Sequence, residues 1–81
     1  MTDEAIKALV LKQLNRIAPE AETAELDPDV DMREQIDLDS MDILNLTIAL
    51  HEATGVDIPE SEYPHMTTLN GCVAYLRTRV K

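Results

Sequence analysis

With 81 residues the chain is bounded to one small domain, whose core can barely exceed the conformational entropy it must offset, so catalytic machinery with a deep pocket is not expected. A hydrophobic content of 44% argues against general disorder, but Phe and Trp are absent and the core must come from Leu, Ile, Val, Ala and four adaptable Met, an interior able to repack around an apolar guest. Sixteen acids against seven bases give a net charge of −9, and residues 20–62 hold fourteen of those acids with Arg33 as their one base; nucleic acid is excluded by such a surface, and a basic protein patch is the expected partner.

Thr2, Asp3 and Glu4 suit a helix N-terminus, and Ile6, Leu9, Val10, Leu14 and Ile17 then recur at helical spacing until Pro19. The same acidic start lacks the basic region of a signal peptide, and no apolar run approaches a membrane span, so a reducing cytoplasm, no membrane partner and a monomer are expected. Residues 19–39 read as a connection long enough to imply a function or a hidden short element, pinned to the core by Leu26, Val30, Ile36 and Leu38. A second helix is predicted from about Ser40 to Thr54, stopped by Gly55. Glu60 to His65 is predicted as one short helical turn limited by Pro64. Thr67 or Thr68 then caps a last helix with Leu69, Cys72, Val73, Leu76 and Val80 on one side and Arg77, Arg79 and Lys81 near its negative end. Cys72 has no disulfide partner in the chain and reads as a small buried hydrophobe. Nothing alternates like a strand, so the fold class is all-α, a small four-helix bundle of three main helices plus a short one.

At 100° per residue the second helix carries two apolar stripes. Ile43, Leu46, Leu50 and Ala53 form its core-facing side, while Met41, Leu44 and Ile48 fall nearly opposite, bordered by Asp42, Asn45 and Glu52. Two readings of the second stripe stand at this point: an exposed docking ridge in an acidic frame, or a strip covered by the long connection or the short helix.

Ser40 sits among Asp37, Asp39 and Asp42, and either Ser40 or Asp39 can cap the helix. If Asp39 caps, the Ser40 hydroxyl is free beside the unpaired N–H groups of the first turn. The carboxylates there disfavour a free phosphate but tolerate a covalently attached phosphodiester; phosphorylation is a rival use. A nucleophilic role is not supported, because Leu38-Asp39-Ser40-Met41-Asp42 has no elbow glycines and His51 lies about 16 Å along the same helix. Metal patterns fail too. Asp27, Asp29 and Asp31 imitate a calcium loop, but Met32 stands for its glycine and Leu38 for its glutamate, and His51-Glu52 starts a zinc motif whose second histidine is Gly55. His51 reads as part of a solvated or docking face.

The run Leu38-Asp39-Ser40-Met41-Asp42, followed by Ile48-Ala49-Leu50-His51-Glu52, Gly55-Val56-Asp57-Ile58-Pro59 and Met66-Thr67-Thr68-Leu69, resembles the acyl carrier protein family, clearly over residues 26–76 and compatibly over the first helix. That resemblance implies a single carrier domain over residues 1–81, not an enzyme, with Ser40 as the attachment residue for a covalent 4′-phosphopantetheine installed from coenzyme A by a phosphopantetheinyl transferase. It implies that acyl intermediates ride on the arm as thioesters, in fatty-acid synthesis or a specialised lipid or secondary-metabolite pathway. Asp39, Asp42, Glu52 and Glu60 match family positions that meet basic patches on acyl-loading ligases and synthases, and Met41, Leu44 and Ile48 match its apolar contact row. Three departures, Asn45, His51 and Tyr63-Pro64-His65, set the usual partners in question. Peptidyl carriers are disfavoured because no glycine precedes Ser40, whereas aminoacyl or D-alanyl carriers, and a purely acidic interaction module, stay open as alternatives.

Overall fold

The computed structural model describes residues 1–80, so the expectation for Lys81 lies outside the described residues. Four α-helices are present: α1 (Asp3–Ile17), α2 (Met32–Gln35), α3 (Ser40–Thr54) and α4 (Leu69–Arg77), with 3₁₀ turns at Thr23–Glu25 and Glu60–Thr67 and no strand among the described residues. The predicted second helix is therefore α3. Each main helix starts where a side chain accepts a first-turn N–H: Thr2 from Ala5 at 3.1 Å, Asp39 from Asp42 at 2.9 Å, and Thr68 from Gly71 at 2.9 Å. α3 ends at Gly55, whose φ of 73° is costly for any residue with a Cβ.

α1 packs against both α3 and α4, and the Glu60–Thr67 segment closes the bundle between α3 and α4. Ile6, Val10 and Leu14 from α1, Leu46 and Leu50 from α3, Met66 from the 3₁₀ segment, and Cys72 and Leu76 from α4 are all fully buried. Burying such aliphatic side chains stabilises a fold by roughly 1.5–3 kcal/mol each, which is how a bundle without large rings holds together.

The long connection does contain hidden elements. Met32, at the head of α2, is fully buried, Leu38 is buried, and Leu26 and Ile36 pack on the core at half exposure; Val30 is half-buried but outside the core cluster. Gln35 organises the turn by donating to the carbonyls of Asp27 and Val30 and accepting from the Asp27 N–H at 2.6 Å. Asp31 caps α2 and pairs with Arg33 at 2.7 Å, and the hydrogen bonds from that guanidinium hold its carboxyl below the usual range. Asp29 accepts from the Asn70 side chain, tying the connection to α4. The three aspartates that imitate a calcium loop are thus engaged in turn and cap bonds.

Three expectations need correction. Ala53 is exposed, because the core-facing arc of α3 runs through Thr47 instead; that buried hydroxyl donates to the Ile43 carbonyl at 2.9 Å. The short helix is a 3₁₀ segment that runs past Pro64 to Thr67. Val80 lies beyond the end of α4 and is half-buried. Arg79 follows the helix and meets its negative end as expected: its guanidinium donates to the Tyr75 carbonyl at 2.9 Å and lies 3.8 Å over the ring of buried Tyr75, whose hydroxyl donates to the Asp57 carbonyl.

Candidate functional site

The site is the first turn of α3 and the outward face behind it. Asp39 takes the cap: one carboxylate oxygen accepts from the Asp42 N–H at 2.9 Å, and the Asp42 carboxylate accepts from the Asp39 N–H at 3.2 Å. This reciprocal box settles which residue of the pair caps. Ser40 becomes the first helical residue, exposed, with its hydroxyl in no hydrogen bond to any described residue. The N–H groups of Ser40 and Met41 open the helix and have no intrahelical acceptor. A phosphodiester on the Ser40 oxygen fits here, because an anion is favoured at this end by about 0.3–1 kcal/mol and no bond has to be broken to free the hydroxyl.

Behind Ser40 the second stripe is open at its two ends. Met41 is 59% exposed and Ile48 45% exposed, while Leu44 between them is half-buried. Asp39, Glu52 and Glu60 are exposed and Asp42 is half-buried. Helical spacing puts Met41, Leu44, Ile48 and Glu52 on one face, and Glu60 belongs to a different element, the start of the 3₁₀ segment. Met41 and Ile48 thus stay open to solvent, and Leu44 between them is partly covered.

On the Ser40 side of that face an open groove of about 590 Å³ runs between α3 and the chain that follows it, bounded by Thr47, Ile48, His51, Ile58 and Tyr63. The sequence reading missed this groove as a unit. Its signal was present in the i, i+4 spacing of Thr47 and His51, but Ile58 and Tyr63 join only through the fold. His51 is exposed as expected, yet not merely solvated: its Nδ1 lies 2.7 Å from the Val56 carbonyl oxygen. Cys72 is fully buried, its thiol donates to the Met66 carbonyl, and burial pushes it up to about 12, which leaves no reactive thiolate.

A small helical bundle that presents an unbonded serine on an acidic helix has the build of a carrier. The chain belongs to the phosphopantetheine-attachment family: the model described as "Phosphopantetheine attachment site" matches residues 4–76. Among relatives it is similar to the acyl carrier protein of Helicobacter hepaticus, 32% identical over 75 residues that cover 93% of this chain and 92% of that protein. It is also similar to the acyl carrier proteins of Rubrobacter xylanophilus, 30% identical over 83% of this chain and 86% of that one, and Thermosynechococcus vestitus, 31% identical over 95% and 89%. Members are non-catalytic carriers of a covalently attached 4′-phosphopantetheine, and this chain is one of them. No helix among the described residues is long and apolar enough to cross a membrane.

Proposed function

We propose that Ser40 is the attachment residue and that the exposed acidic and apolar face of α3 is what partner enzymes read. One observation supports this above the others: Asp39 does the capping, so the Ser40 hydroxyl is left unbonded on the outside of the first turn. In the transfer, the Ser40 oxygen forms the new ester bond to the pantetheine-side phosphorus of coenzyme A. Its proton passes to a base on the transferase, and the nucleotide half of coenzyme A departs. When bound, the group supplies a thiol that holds an acyl unit as a thioester. The chain's own part is to present, orient and advertise that cargo, raising its effective concentration at each partner.

Partners are ligases and synthases with basic docking patches, met in the cytoplasm by a monomeric carrier. Asp39, Asp42, Glu52 and Glu60 select them by charge, and Met41, Leu44 and Ile48 give them apolar area to bury. The relatives' names favour acyl over aminoacyl cargo. Asn45, His51 and Tyr63-Pro64-His65 interrupt the acidic frame and favour a dedicated partner set over a general one.

Mass spectrometry tests the attachment. After incubation with coenzyme A and a broad-specificity phosphopantetheinyl transferase, the native chain should gain one pantetheinyl mass and Ser40→Ala none. A native chain that stays unmodified, or a Ser40→Ala chain that gains the mass, overturns the reading and leaves the acidic interaction module in its place.

A further inference from the structure

Helical spacing puts Leu44 and His51 on the same side of α3 as Ser40, with His51 about 16 Å along the axis and Ile48 beside them. His51 stands at the far end of the groove, where Ile48 and Ile58 supply apolar wall and His51, Asp57 and Tyr63 supply polar atoms. The Val56 carbonyl 2.7 Å from Nδ1 can only accept, so Nδ1 carries the ring proton. In the uncharged ring this makes Nε2 an acceptor. Nε2 has no hydrogen-bond partner among the described residues, and the side chain is 49% exposed at the groove. The Asp57 carboxylate, 3.9 Å from Nδ1, adds negative charge at the same end, and no Lys or Arg lines the groove. A saturated alkyl chain satisfies none of these acceptors and would strip water from them; a chain carrying a donor group satisfies them.

We infer that His51 is a specificity-determining residue of the carrier, its Nε2 selecting acyl cargo that bears a hydrogen-bond donor, a hydroxyl or an ammonium, over plain alkyl cargo. The inference rests on the reading of Ser40 as the attachment residue, since cargo tethered there is delivered along this face. The ring also has a plain structural duty, because Nδ1 ties the end of α3 to the loop after it. The two duties sit on different nitrogens and can be separated. His51→Asn keeps an amide donor near the Nδ1 position and removes the Nε2 acceptor, whereas His51→Gln places an amide with a carbonyl acceptor near Nε2.

Straight-chain acyl, ω-hydroxyacyl and ω-aminoacyl groups of several lengths can be loaded from their coenzyme A thioesters by the transferase, and each loaded protein melted in the same buffer. Each variant is compared only with its own alkyl-loaded form, so a loss of helix capping cancels. At the length that reaches His51, donor-bearing cargo should raise Tm by roughly 4–8 °C over the matched alkyl chain. The gain should vanish in His51→Asn and return in His51→Gln. A gain for the hydroxyl series alone assigns a hydroxylated cargo, and one for the amino series alone assigns an ammonium that Asp57 helps to hold. Equal melting at every length overturns the inference, as does a gain that persists in His51→Asn or is lost in His51→Gln. Failure of the native chain to load at all would instead overturn the Ser40 reading.

Discussion

Where the Glu60–Thr67 segment meets α4, polar groups find partners inside the chain: the Cys72 thiol donates to the Met66 carbonyl, the Thr68 hydroxyl caps α4, and the Tyr75 hydroxyl reaches the Asp57 carbonyl. Gly71 belongs there because a Cβ on it would run into the His65 carbonyl and the Thr68 hydroxyl. On the outward face of α3 the opposite holds, with the Ser40 hydroxyl, Met41 and Ile48 all turned to solvent. The packed junction keeps its shape at the expense of tolerance, and the open face keeps its chemistry available at the expense of stability. In so small a domain the two can coexist only because one helix, α3, contributes its inner side to the first and its outer side to the second.

Substitutions on α3 itself break this division most sharply. Leu46→Ala, on the fully buried side, should destabilise the fold by about 2–5 kcal/mol in urea unfolding. At the junction, Gly71→Ala should cost about 1–3 kcal/mol although alanine is the better helix former, because backbone has to move. Denaturation in which Gly71→Ala matched or exceeded the native chain would show that the junction is looser than its contacts imply.

The buried thiol offers a pH test of the same junction. The folded state holds Cys72 protonated up to about 12, whereas the unfolded thiol titrates near its ordinary value of 9.0. The unfolded chain therefore binds fewer protons between those values, and the contribution to stability, fully present below pH 9, falls as pH rises toward 12. The slope should approach about 1.4 kcal/mol per pH unit and be absent in Cys72→Ala. Melting curves of the two proteins that run parallel through this window would place the thiol in contact with water.

At the open face the effects on stability shrink and those on function grow. Asp39→Ala should cost about 1 kcal/mol as the cap is lost. It should also slow modification several-fold, because Ser40 is then the residue left to cap the helix; an unchanged transfer rate, read by mass spectrometry, would show that freeing the hydroxyl is not what Asp39 does. Met41→Ala should change stability by less than about 0.5 kcal/mol while weakening turnover by acyl-loading partners, and Leu44→Ala, at a half-buried site, should fall between Met41→Ala and Leu46→Ala.

Much of this was legible in the residues alone. The three main helices followed from apolar spacing and from Thr2, Gly55 and Thr68, since caps and periodicity are local properties of a few neighbouring residues. What escaped depended on distant parts of the chain. Met32 is core because α2 folds back onto the bundle, Tyr75 is buried because the loop after α3 passes over it, and Ala53 is exposed because Thr47 takes the inner arc in its place.

For the site, the sequence by itself determined that one serine stands at the head of an acidic helix with two apolar stripes, because charge, helix starts and a 3.6-residue period are written in order along the chain. The tertiary structure decided that Asp39 and Asp42 take the cap between them, that Met41 and Ile48 of the second stripe stay open, and that His51 shares a groove with Ile58 and Tyr63. Those outcomes rest on which side-chain oxygen reaches an N–H first and on where the connecting segments come to lie, and both are set by packing across the bundle.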